Sequence, residues 1–343
     1  MHIYTYDNEF QLESGGSLPG FQIGYNTYGS LNEVGDNVVW VCHALTANAD
    51  PVSWWPGVVG PGCVIDPARY FIVCANILGS CYGSTGPDSV NPYTGAPYYE
   101  SFPLLTIRDM VKAHILLRKH LKIDSIRLLM GGSMGGYQVL EWALAEPRVI
   151  QQLFLIATSA AESAWGQAIH AAQRMAIEAD CSFYSTIGEK KGEMRLMGEK
   201  GLKAARAIGM LTYRNYGIMV ERQKDPDTEK LENYRAASYL EHQGNKLSQR
   251  FTAHAYWLLT KAMDNHHIGR GRGGDLARVL NTIHQPTLIM GVSSDILCPP
   301  AEQLFMAENM PAAVYREIDS QYGHDGFLVE AAKISAELRN WLG

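Results

Sequence analysis

Gly131-Gly132-Ser133-Met134-Gly135-Gly136 joins two segments of different periodicity. Before it, Ile126-Arg127-Leu128-Leu129-Met130 is a short apolar run of the kind that parallel sheets bury on both faces. After it, Tyr137, Leu140, Glu141, Trp142 and Leu144 follow at helical spacing as far as Pro147. The stretch fits G-x-S-x-G, a sharp strand-to-helix turn that lifts a serine hydroxyl above the sheet. Its glycines are required because a Cβ there would collide with neighbouring backbone. The reading is a serine nucleophile carried on a strand, a turn and a helix.

Outward from this turn, further buried strands are expected at Val38–Cys42, Tyr70–Ala75 and Ile150–Ile156, with a helix from Thr106 to Leu121. Thr106 is a plausible N-cap, with Asp109 in the first turn. Phe10 to Tyr28 alternates in the β manner, with Gly15-Gly16 and Pro19-Gly20 as turns, which predicts an antiparallel start to the sheet. From about Ala160 to Arg278 strand-like runs give way to amphipathic helical segments, at Trp165–Glu178, Leu202–Tyr213, Lys230–Gln243 and Ser248–Asp264. The sheet then resumes at Pro286–Val292 and Val314–Ile318, with a helix from Ala301 to Glu308 and a terminal helix to Gly343. This succession predicts an α/β fold with a mostly parallel central sheet flanked by helices and right-handed crossovers. The expected division is a core of residues 1–159 and 279–343 and an inserted helical lid of residues 160–278.

The elbow and this order resemble the α/β-hydrolase fold, whose triad runs nucleophile, acid, histidine along the chain. Ser133, Asp295 and His324 follow that order, and each stands just past an expected strand, where the carboxyl edge of the sheet would gather them. Asp319 is a rival for the acid, but it is too close in sequence to His324, and Asp295 is preferred. In such a triad His324 takes the proton of Ser133, while Asp295 fixes the imidazole tautomer and stabilises the imidazolium. The same likeness assigns the oxyanion-hole N–H groups to Met134, after the nucleophile, and to Leu45, after the strand Val38–Cys42.

The bulk properties remove other function classes. The chain has 343 residues, 46% hydrophobic and 19% charged, an ordinary globular profile. Its formal net charge of −6 offers no general basic field for nucleic acid or an anionic membrane. Neither a cationic-then-apolar leader nor an apolar run near membrane-spanning length is visible, so a cytoplasmic protein is expected. Six scattered cysteines without C-x-x-C spacing argue for free thiols and against a metal site. Cys42-His43 lies at the end of a strand and reads as structural. Gly79–Pro87 lacks the Gly-Lys-Ser/Thr of a phosphate loop and is expected to shape the pocket rim. Gly269-Arg270-Gly271-Arg272-Gly273-Gly274 matches G-x-G-x-x-G by letter but follows a helix, so no dinucleotide site is expected.

Several stretches resemble the homoserine O-acetyltransferases of methionine biosynthesis. They are His43-Ala44-Leu45-Thr46, Trp54-Trp55, Val59-Gly60-Pro61-Gly62, Gly83–Pro87, Asn91-Pro92, Thr106–Val111, Gly131–Gly136, Glu141-Trp142-Ala143 and Tyr322-Gly323-His324-Asp325. The resemblance implies a ping-pong reaction in which Ser133 takes the acetyl group of acetyl-CoA, the co-substrate, and passes it to the hydroxyl of homoserine. It also implies that Arg206 holds the acceptor carboxylate and that Asp325 receives its ammonium, and it points to a homodimer. Tyr213 stands seven residues after Arg206, two helical turns, so both face the same side. A guanidinium fork suits a carboxylate, and opposite charges suit the two ends of an amino acid. An acetyl-ester hydrolase on the same scaffold remains open, as do a silent binding protein of this fold, succinyl-CoA as donor and serine as acceptor.

Overall fold

The computed structural model describes residues 1–184 and 197–343. The apolar runs become strands that alternate their side chains between two cores. At the amino terminus β1 (His2–Tyr6) pairs antiparallel with β4 (Phe21–Tyr28), while β2 (Phe10–Gln11) and β3 (Ser17–Leu18) form a separate two-stranded ribbon. The remaining strands are β5 (Val38–Cys42), β6 (Phe71–Ala75), β7 (Leu128–Gly132), β8 (Leu153–Ile156), β9 (Thr287–Val292) and β10 (Ala313–Ile318). The main sheet has eight strands in the order β1-β4-β6-β5-β7-β8-β9-β10. β4 meets β6 antiparallel, and every pairing from β6 to β10 is parallel.

Every residue of β5, β7, β8 and β9 is buried. Trp40, Leu129, Leu153 and Leu155 face one core, and Val39, Val41, Met130, Phe154 and Ile156 face the other. Helices cover both faces, so these strands show no polar alternation.

The helices are α1 (Pro51–Trp54), α2 (Ile107–His120), α3 (Met134–Ala145), α4 (Ala164–Glu178), α5 (Glu199–Tyr213) and α6 (Tyr216–Gln223). After them come α7 (Arg235–Ser248), α8 (Ala253–Asp264), α9 (Leu276–Leu280), α10 (Pro300–Asn309), α11 (Gly326–Val329) and α12 (Ala331–Leu342). Thr106 caps α2 through a capping box with Asp109, each side chain bonding the other's backbone N–H. Helices α4 to α8 all fall between β8 and β9, with α5 packed against both α4 and α7. We propose 160–278 as the lid; residues 185–196 of that span lie outside the described residues, and α9 runs across its end at 278. Among the described residues no helix is long and apolar enough to cross a membrane.

Three local differences from the sequence reading have physical causes. His2–Tyr6 is a strand, but an edge strand with only Tyr4 buried, so its apolar signal is weak. The helix expected from Lys230 begins at Arg235, because Asp225 accepts from both Lys230 Nζ (2.7 Å) and the Arg235 N–H (2.8 Å) and holds the intervening chain as a loop. That helix runs on to Ser248, and α8 starts afresh under the cap of Thr252.

The glycine-arginine stretch 269–274 serves as an ionic clasp. Arg108 on α2 pairs with Glu13 (2.7 Å) and Glu141 (3.0 Å), Arg270 with Glu13 (2.9 Å), and Arg272 with Glu141 (2.8 Å). Arg108 also donates to the carbonyls of Ile268 and Arg270. The clasp ties the chain leaving the lid to α2 and to α3, the helix that carries the nucleophile. Glu141 is 2% exposed, and its removal leaves Arg272 without a carboxylate partner and Arg108 with Glu13 alone. Glu141→Ala is expected to cost ~3 kcal/mol of unfolding free energy, read as a lower urea midpoint at unchanged m-value.

Candidate active site

Ser133 sits between β7 and α3 at φ 54 and ψ −130, a backbone region that non-glycine residues rarely enter. What holds it there is the absence of side chains around it. A Cβ on Gly135 would lie 2.2 Å from the Cys42 carbonyl oxygen, and one on Gly131 would lie 2.5 Å from the Gly135 backbone. One on Gly132 would strike the Phe327 ring at 2.7 Å. The start of α3 is thus pressed against the end of β5, and Thr158 Oγ1 donates to the Ser133 carbonyl (2.8 Å).

The triad geometry is complete. His324 Nε2 lies 2.9 Å from Ser133 Oγ, and His324 Nδ1 lies 2.7 Å from Asp295 Oδ2. The other oxygen, Asp295 Oδ1, accepts from the N–H groups of Leu297 (2.8 Å) and Cys298 (3.0 Å), so the carboxylate is held at both ends. Burial alone would lower the His324 pKa, but the facing Asp295 carboxylate prevails and leaves it raised. Asp319, the rival acid, is exposed and bonds Ser293 Oγ instead.

The turn that carries His324 is fixed from three sides. The Gly323 N–H donates to Ser294 Oγ beyond β9 (3.0 Å). Gly323 itself has φ +64, and a Cβ there would lie 2.8 Å from the Tyr213 carbonyl oxygen at the end of α5. Trp55 Nε1 donates to the Phe327 carbonyl (2.9 Å), which gives the Trp54-Trp55 pair its use.

Leu45 lines a cleft of about 460 Å³ together with Ser133, Arg206, Tyr213, His324 and Asp325. Met134 is the first residue of α3, and Gln138 Nε2 donates to the carbonyls of both Met134 (3.4 Å) and His43 (3.1 Å), which binds the two proposed oxyanion segments together. His43 is fully buried and its pKa is pushed down to about 4, so it is neutral; its Nε2 accepts from the Ile77 N–H (3.2 Å). Burial raises the Cys42 thiol, which disfavours its thiolate. Residues 79–87 are expected at the rim: Thr85 pairs with Gln22 on β4, and the Tyr82 hydroxyl accepts from Arg250, which lines the cleft. Among the described residues no cluster of His, Cys, Asp or Glu could hold a metal ion.

Arg206 lies over the Tyr213 ring, its guanidinium carbon 5.3 Å from the centroid, and the Tyr213 ring is 5.8 Å from that of His324. Asp325 makes no side-chain cap for α11. Its Oδ2 pairs with Arg214 at 3.2 Å, a partner that sequence reasoning missed. Burial raises the Asp325 pKa against the pull of Arg214, His324 and Arg206. Lys246 and Arg250 also line the cleft and were missed. Arg214 directly follows the flagged Tyr213, but only the tertiary fold turns it toward Asp325.

Residues 37–187 match the family model of the alpha/beta hydrolase fold. The chain is 45% identical over 339 residues to a homoserine O-acetyltransferase of Cyclobacterium marinum, covering 99% of this chain and 94% of that protein. Among solved structures, homoserine O-acetyltransferase from Bacillus anthracis superposes with a TM-score of 0.91 at 23% identity, covering 100% of this chain and 97% of that one. An acetylester hydrolase from Corynebacterium glutamicum superposes at 0.85 and 22% identity, covering 99% and 95%. The backbone is therefore shared by transferases and hydrolases.

The pH dependence follows from the raised His324 pKa. His324 must be neutral to accept the Ser133 proton, so acylation is lost as pH falls through its pKa, and that acid limb lies above the ordinary histidine value near 6.5. Asp295→Asn is expected to move the limb to lower pH and to reduce kcat by roughly 10⁴-fold. A pH profile of p-nitrophenyl acetate turnover, wild type against variant, measures both.

Proposed function

The chain belongs to the homoserine O-acetyltransferase family, and from that premise we propose that it moves an acetyl group from acetyl-CoA to the side-chain hydroxyl of L-homoserine through an acyl-Ser133 intermediate. Ser133 Oγ attacks the thioester carbonyl as His324 Nε2 takes its proton. The N–H groups of Leu45 and Met134 receive the oxyanion of the tetrahedral intermediate. Its collapse breaks the C–S bond, and His324 returns the proton to the departing CoA thiolate. In the second half, His324 takes the proton of the homoserine hydroxyl, that oxygen attacks the acyl-serine carbonyl, and Ser133 leaves with the proton restored.

The observation that carries the reading is the pairing of opposite charges beside the triad. Arg206 and Asp325 line the same cleft as Ser133 and His324. Tyr213 supports the Arg206 guanidinium from one side. That leaves its edge for the acceptor carboxylate, and Asp325, with Arg214 engaging only Oδ2, offers Oδ1 to the ammonium. A plain ester has neither charge.

The protein works in this reading as a cytoplasmic homodimer. Leu211, Tyr216, Val220 and Leu231, all exposed on the lid, supply an apolar face for a second copy. Light scattering at micromolar concentration is expected to give twice the 38.0 kDa chain mass.

Thiol release from acetyl-CoA tests the activity. Homoserine should accelerate it well beyond the rate with water; equal rates would transfer the reading to an acetyl-ester hydrolase. Arg206→Ala should raise KM for homoserine roughly 100-fold, the loss of a charge-assisted bond pair worth about 3 kcal/mol. Loss of the acylation burst with p-nitrophenyl acetate in that variant would contradict the carboxylate role.

A further inference from the structure

The cleft holds more positive charge than a zwitterionic acceptor needs. Arg206 and Asp325 answer the two ends of an amino acid, yet Lys246 and Arg250 line the same cleft, and among the described residues no second carboxylate lines it with them. This local surplus stands on a chain whose formal net charge is −6. Both extra cations are exposed, Lys246 in the last turn of α7 and Arg250 two residues beyond that helix. Complementarity to the helix dipole accounts for a lysine in the last turn. It does not account for a second cation on the same cleft.

Arg250 is set in place by the wall opposite the lid. Its Nη1 donates to the Thr46 carbonyl and to the Tyr82 hydroxyl (2.7 Å), and its Nη2 reaches Thr46 Oγ1 (3.5 Å). Thr46 follows Leu45, so the guanidinium bridges the lid to the oxyanion loop while keeping N–H donors unspent, since a guanidinium carries five. Lys246, by contrast, makes no hydrogen bond or ion pair with any described residue. A cation left free beside a fixed guanidinium, on the rim of a reaction cleft, suits a multiply charged anion that arrives and leaves.

Resting on the acetyltransferase reading, we propose that Lys246 and Arg250 form the subsite for the phosphates of the CoA donor, at the mouth of the cleft whose floor is Ser133. The two ligands are then sorted by charge. The neutral zwitterion is recognised between Arg206 and Asp325, and the polyanionic donor is drawn to the rim, where the field of Lys246 also speeds its capture. Donor recognition is therefore sensitive to ionic strength and acceptor recognition much less so.

The test compares acetyl-CoA with S-acetylpantetheine, which carries the same thioester and no phosphate, with homoserine saturating. Lys246→Glu should lower the ratio of kcat/KM for acetyl-CoA to that for S-acetylpantetheine at least 10-fold, through KM for acetyl-CoA, and Lys246→Arg should restore most of it. The wild-type ratio should also fall as salt is raised. An unchanged ratio in Lys246→Glu overturns the subsite. Wild-type protein that releases no thiol from acetyl-CoA, while it turns over simple acetate esters, overturns the acetyltransferase reading and the subsite together, so the two failures are told apart.

Discussion

The close approach of α3 to the end of β5 is the constraint on which the rest depends. At 2.2 Å between the Cys42 oxygen and the place a Cβ of Gly135 would occupy, only glycine allows the helix to begin where it does. That contact holds Ser133 at positive φ, a strain of ~1–3 kcal/mol maintained by the surrounding packing. It also brings the start of α3 next to the loop after β5, so Ser133 and the two proposed oxyanion segments are positioned by a single backbone contact. Gln138 reinforces the contact by bonding carbonyls on both sides of it.

The histidine is placed by a different set of contacts, and these pass through the lid. Gly323 packs against the Tyr213 carbonyl, Arg214 pairs with Asp325, and the Tyr213 ring lies tilted 5.8 Å from that of His324. The end of α5 therefore supports the catalytic turn while Arg206, two turns earlier on the same helix, faces the cleft. In the proposed reaction, an acceptor bound to Arg206 would be held in register with His324 through this helix. Such coupling suits a transferase, in which water must lose to an amino-acid hydroxyl at the acyl-enzyme stage. The shared backbone of acetyltransferases and an acetylester hydrolase places the difference between them in side chains of this kind, not in the fold.

Charge organises what the triad leaves open. The ionic clasp of Arg108, Glu13, Glu141, Arg270 and Arg272 lies behind the nucleophile helix and serves structure, which explains a glycine-arginine stretch that resembles a nucleotide motif only by letter. Arg206, Lys246 and Arg250, which make no ion pair with any described residue, line the cleft. The paired charges join the chain at Arg270 and Arg272 to Glu13 and to Glu141 on α3.

The sequence by itself determined the elements whose information is local. Glycines around Ser133, buried runs at β5 and β7 to β9 and the Thr106 cap all follow from backbone sterics and from apolar periodicity along a few residues, while the order of Ser133, Asp295 and His324 was legible through its likeness to the α/β-hydrolase order. So did the shared face of Arg206 and Tyr213, which is helical geometry. The tertiary structure alone decided the rest. It turned Arg214 onto Asp325, carried Arg250 across 204 positions to Thr46, set Tyr82 of the 79–87 loop against Arg250, and made a strand of His2–Tyr6. The reason is the same in each case: an exposed arginine, a glycine-rich loop or an edge strand has no strong local preference, and its place is set by partners that the chain brings near only once the sheet has formed.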